Sequence, residues 1–98
     1  MLVTHRWRVV NRDGLHFRAW DEECVAYDEF TGHTHLLSSF AGETLSQLCG
    51  QQTPLSAAVI ADQLAAELEI ERDAGFDQAL AACLDAFERL GLVERTEA

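Results

Sequence analysis

The sequence predicts an α+β domain in which an N-terminal three-stranded antiparallel β-meander, over about residues 7–37, precedes a three-helix bundle. Two observations carry this. Leu15-His16-Phe17-Arg18-Ala19-Trp20 alternates apolar and polar residues, as a half-buried strand does. From Ser38 onward the apolar residues instead recur at the three- and four-residue spacing of helices. With 98 residues, 48% hydrophobic and 24% charged, the chain has the balance of a folded protein, and its length suits one core. The expectation is a single domain over 1–98.

Each element has a local reason. Trp7 to Val10 is a short β-prone run, closed by the turn Asn11-Arg12-Asp13-Gly14. The strand Leu15–Trp20 ends at the polar turn Asp21-Glu22-Glu23, and Cys24-Val25-Ala26-Tyr27 is the next β-prone run. Asp28 to Gly32 reads as a hairpin loop in which Gly32 takes a positive φ without a Cβ penalty. His33 to Leu37 returns as the third strand, with Thr34 and Leu36 on one face and His33, His35 and Leu37 on the other.

The helices are expected over about 39–49, 54–68 and 73–90. Ser38 or Ser39 is placed to cap the first, whose stripe is Phe40, Ala41, Thr44, Leu45 and Leu48, with Gly50 stopping it as a C′ residue. Thr53 and Pro54 form an N-cap and N1 pair for the second, with stripe Val59, Ile60, Leu64, Ala65 and Leu68. Asp73 caps the third, Gly91 ends it, and Leu92-Val93 offers a short extended tail.

At 100° per residue, Phe76, Leu80, Leu84 and Phe87 fall on one arc of roughly 80° of the third helix, its core face. Beside it lies an arc of mostly small residues, Ala79, Ala82, Cys83 and Ala86, closed by Leu90. Small residues there allow either close helix packing or a shallow open groove.

Composition narrows the function classes. The chain has seven Arg, no Lys and seventeen acids, for a net charge of −10. A field of that sign repels phosphate backbones. The candidate recognition helix of a DNA-binding winged helix, residues 73–90, carries Asp73, Asp77, Asp85 and Glu88 against Arg89 alone. Cys24, Cys49 and Cys83 are odd in number and lack CxxC spacing, so neither a disulfide framework nor a zinc ribbon is indicated, and they read as small apolar residues. No window is long and apolar enough to span a bilayer, and no apolar h-region follows His5, Arg6 and Arg8; a cytoplasmic location is expected.

Three strands followed by three helices in about ninety residues is the layout of a winged-helix-like module. Within it, Trp7, Trp20-Asp21, the strand Val25-Ala26-Tyr27, the run TGHTHLL from Thr31 to Leu37 and the helix beginning SSFAGETLSQL together resemble the PqqD family. The likeness runs from about residue 7 to residue 94 and points to the branch called HPr-rel-A system PqqD family peptide chaperones. Its sharpest piece is Thr34-His35-Leu36-Leu37.

The resemblance implies a RiPP recognition element, a domain that binds the leader segment of a ribosomally made precursor peptide and presents it to modifying enzymes. In that family the leader adds a strand to the free edge of the third strand and packs against the third helix. Carried onto this chain, the edge is His33, Thr34, His35, Leu36, Leu37 and Ser38, and the facing groove is Ala79, Ala82, Cys83, Ala86 and Leu90. The resemblance also implies an HPr-kinase-like kinase and a nucleotidyltransferase as partner enzymes; no cofactor is expected. An acidic binder would favour a peptide carrying basic residues.

Other readings compete. His33 and His35 share a strand face and could ligate a metal if His5, His16 or Glu29 converged on them. No nucleophile elbow, Gly-rich phosphate loop or paired-carboxylate pattern suggests an enzyme, and Asp21-Glu22-Glu23 reads as a solvated turn. The chain could instead be a structural or dimerising subunit of a kinase or nucleotidyltransferase complex, its strand edge covered by a second copy or by exchange of the N-terminal strand.

Overall fold

The computed structural model describes residues 5–51 and 53–97. Strand β1 (His5–Val9) leads through a 3-10 turn at Arg12–Gly14 into β2 (Leu15–Trp20), β3 (Glu23–Asp28) and β4 (His33–Ser38). These last three form an antiparallel sheet in the order β2-β3-β4. Helix α1 (Ser39–Cys49) follows, then a two-residue strand β5 (Leu55–Ser56), α2 (Ala57–Leu68), α3 (Ala74–Arg89) and β6 (Val93–Glu97). The fold is α+β and winged-helix-like, a meander followed by three helices, as the sequence predicts.

The meander itself begins at Leu15, because β1 belongs elsewhere. It is the centre of a second antiparallel sheet, β5-β1-β6, in which Trp7 stands opposite Leu55 on one side and Arg95 on the other. Alternation within residues 5–9 marks a strand but says nothing of a partner almost ninety residues away. The short tail expected at Leu92-Val93 is a strand through Glu97 for the same reason: it pairs along the whole of β1.

The start of α2 also differs from expectation. Thr53 and Pro54 do not open it; Ser56 does, its Oγ accepting from the Val59 N–H at 3.3 Å. Pairing of Leu55 and Ser56 with β1 holds those two residues extended, which delays the helix to Ala57. Val59, placed on the stripe by periodicity, is 41% exposed, and Ala61 is buried instead. Gly50 closes α1 in right-handed geometry, φ −78°, as the C-cap and not as a left-handed C′ residue. The left-handed stops fall at Glu69 after α2 (φ +56°) and at Gly91 after α3 (φ +77°).

Helix α1 is the hub of the core, packed against both sheets and both other helices. Leu45 and Leu48 of α1, Ile60 and Leu64 of α2, and Leu80, Leu84 and Phe87 of α3 are almost wholly inaccessible. Thr44 is buried among them at no polar cost, since its hydroxyl donates to the Phe40 carbonyl at 2.8 Å. A glycine at position 42 is required: a Cβ there would lie 2.6 Å from Cys24 Cβ, so α1 rests almost directly on β3. No helix among the described residues is long and apolar enough to cross a membrane.

Candidate functional site

The strand β4 lies at the edge of its sheet. One side registers on β3 through Ala26↔His35, Val25↔Leu36 and Cys24↔Leu37, and the other pairs with no strand among the described residues. His33, His35 and Leu37 occupy the face turned toward α1, where Leu37 is buried and His35 half-buried. Thr34, Leu36 and Ser38 are exposed on the outer face.

Both ends of this strand are held. At its start, the hairpin is organised by Asp28, which is 3% exposed and accepts from Asn11 Nδ2 at 3.0 Å and from the Phe30 N–H at 2.9 Å. The Asn11 hydrogen bond is the main reason its carboxyl titrates below the usual range, and burial opposes it. Gly32 then reverses the chain at φ +79°, its N–H donating to the Asp28 carbonyl at 2.7 Å. At the far end, Ser38 Oγ accepts from the Ala41 N–H at 3.1 Å, capping α1, so strand passes into helix without a loop.

Helix α3 buries Phe76, Leu80, Leu84 and Phe87, the arc that the angular count assigns to the core. One flank is tied down by charge. Asp77 takes the Arg72 guanidinium at 2.8 Å, Arg72 also reaches Asp62 of α2 at 2.8 Å, and Glu88 pairs with Arg95 of β6 at 3.3 Å. The other flank is the small-residue arc. Ala79 and Ala82 are exposed there, Cys83 and Ala86 half-buried, and Leu90 is 52% exposed.

The two surfaces converge at one end. Phe40, two residues beyond β4, packs edge-on against Phe76 in the first turn of α3, with ring centroids 5.5 Å apart. Among the described residues no hydrogen bond or ion pair joins β4 to α3, so the strand edge and the small-residue flank stand unlinked beyond that contact. Desolvation pushes the Cys83 thiol up. No carboxylate lies on this flank; Asp77 and Glu88 project from the opposite one and Asp85 from the back of the helix. The net charge of −10 is therefore a distant field here and not a lining.

The histidines do not assemble as a ligand set. His33 and His35 sit edge to face with centroids 6.2 Å apart, while His16 pairs with Glu29 at 3.4 Å and stacks on Tyr27. His5 packs beside Trp7 in the other sheet. Among the described residues no group of three His, Cys, Asp or Glu side chains is placed to hold a metal ion.

Several features escaped the sequence. A cavity of about 120 Å³ lies between the β2–β3 hairpin and α1, lined by Phe17, Cys24, Ser39, Gly42 and Glu43. The Asp21-Glu22 turn is exposed as the sequence predicts, but its left-handed Asp21 (φ +53°) and its tie to α1, Ser39 N–H donating to the Glu22 carbonyl at 3.1 Å, are not legible there. The outer sheet face carries exposed apolar residues at Trp20, Tyr27 and Leu36. Alternation in the strands predicts that face, and Trp20, Tyr27 and Leu36 give it an apolar character unusual for a solvent-facing surface.

Comparison with known proteins gives one informative likeness. The solved structure described as TbiB1 in complex with the TbiA(beta) leader peptide shares this fold, with a TM-score of 0.60 and 23% sequence identity over 89% of this chain and 94% of that one. No family model and no curated protein matches the chain.

Proposed function

We propose that this chain is a non-catalytic peptide-binding adaptor that docks a precursor leader peptide by strand addition and presents it to partner modifying enzymes. The observation that carries this reading is the edge of β4 that pairs with no strand among the described residues. An open strand edge offers a row of N–H and C=O groups that an extended peptide satisfies whatever its sequence. Specificity then falls to side chains, with the peptide's alternate residues turned toward Ala79, Ala82, Cys83, Ala86 and Leu90. TbiB1, which has this fold, holds a leader peptide, and that supports the same class of ligand here.

The sequence likeness to the HPr-rel-A branch extends the proposal to an HPr-kinase-like kinase and a nucleotidyltransferase as the enzymes served. The experiment is an ¹H–¹⁵N NMR titration with precursor peptides encoded beside the gene, run alongside the two enzymes. Peptide-induced shifts concentrated in His33–Ser38 and Ala79–Leu90 are the expected result. Silence toward every peptide, with shifts only on adding an enzyme, would make the domain a structural subunit and overturn the adaptor reading.

A further inference from the structure

The outer face of the sheet bears on what kind of peptide fits. Arg18, Val25 and Leu36 stand directly opposite one another across β2, β3 and β4, forming a row on the face turned away from α1. Val25 is half-buried within that row, but Leu36, its last member, is 68% exposed. Tyr27 and Trp20 expose 42% and 48% of their surface on the same face. An aliphatic residue at an open edge is what edge strands normally avoid, and His33–Ser38 contains neither a proline nor a lysine to blunt it.

We propose that Leu36 is a specificity residue that reads the outward side of the docked peptide. The inference rests on the strand-addition reading above and deepens it. A strand added to β4 turns alternate residues to opposite faces. Those turned inward meet the small-residue flank of α3, and the one between them lies beside Leu36 as the fourth member of the Arg18–Val25–Leu36 row. Reading by the α3 flank alone would select an alternating apolar–polar–apolar ligand. Reading by both faces selects three consecutive apolar residues.

A peptide suits this surface better than a second copy of the chain. β4 runs into α1 at Ser38 without a loop, so a second β4 would carry its own α1 up to the edge, whereas an extended peptide brings no such bulk, and the similarly folded TbiB1 holds a leader peptide.

The test uses the full chain and a display library of randomised ten-residue peptides, selected on the wild type, on Leu36→Thr and on Ala82→Leu. Wild-type selection is expected to yield an apolar triplet, and Leu36→Thr to lose the preference at the central position alone. A selected peptide resynthesised with serine at that position should bind the wild type roughly two- to five-fold more weakly. That comparison does not depend on any variant folding. Peptides with apolar flanks but a free central position would overturn the role of Leu36 and leave docking intact. Failure to select any peptide would overturn docking itself, and this inference with it. A dimer that dissociates on Leu36→Thr would assign the row to a second copy and also overturn the proposal.

Discussion

Phe40 and Phe76 meet edge to face, with centroids 5.5 Å apart and planes at 84°, and this contact ties the first turn of α1, just beyond β4, to the first turn of α3. Such a pair contributes about 1 kcal/mol beyond the area it buries. A double-mutant cycle with Phe40→Leu and Phe76→Leu, measured by urea denaturation, should return a coupling of about that size. Additive single mutants would mean that the rings share a neighbourhood without supporting one another.

Asp28 should shape the acid limb of the stability curve. Its carboxyl titrates lower in the folded chain, chiefly because Asn11 donates to it, than in an unfolded one. The stability it contributes is therefore complete above the unfolded value of about 4 and is lost as pH falls through the lower folded value. Asp28→Asn should flatten that part of the profile, below about pH 5. Asp28→Ala, which also removes the acceptor for the Phe30 N–H, should cost about 1–3 kcal/mol at neutral pH.

Gly42 has no room for a methyl group against Cys24. Gly42→Ala should destabilise the chain by about 1–3 kcal/mol, seen as a lowered Tm, because α1 must lift from β3. A Tm at or above that of the wild type would show that the helix shifts at no cost.

Cys83 reports on the proposed groove. Because burial raises its thiol pKa, alkylation at neutral pH should be slower than for a free cysteine and should accelerate with rising pH. Bound peptide should slow the reaction at Cys83 while leaving Cys49, near the far end of α1, unaffected. Equal protection of both would point to general tightening of the fold.

Ser38 belongs both to the strand edge and to the cap of α1. Ser38→Ala should cost about 1 kcal/mol of stability through loss of the cap. Because strand addition uses backbone groups, peptide affinity measured by calorimetry should change little. A large loss of affinity with unchanged stability would give the hydroxyl a direct role in binding.

The meander and the third helix were legible because their information is local. Alternation through Leu15–Trp20 and the arcs of Phe76, Leu80, Leu84 and Phe87 depend only on residues a few positions apart. The second sheet was not legible, since nothing near Trp7 announces Leu55 or Arg95 as its neighbours. The same long-range pairing sets the start of α2, where it overrides the Thr53-Pro54 signal in favour of Ser56. Glu69 in left-handed geometry gave no warning either, because glycine is the residue that usually marks such a stop. For the candidate site, the strand β4 and the alanine arc follow from periodicity, while the strand's open edge is what the resemblance to the PqqD family implies. The contact between Phe40 and Phe76, which links the start of α1 to the start of α3, arises only when the helices pack.

The pairing of β1 with β6 sets His5 opposite Glu97, so the polypeptide enters and leaves the domain at neighbouring points, about 5 Å apart by ordinary antiparallel spacing. A body with that geometry behaves as a plug-in cassette. It can be spliced into a surface loop of a host enzyme, or circularly permuted through a short linker, with little distortion of either partner. Covalent attachment there uses a different sheet from that of β4, and on the adaptor reading a fused enzyme would hold the docked peptide at high effective concentration.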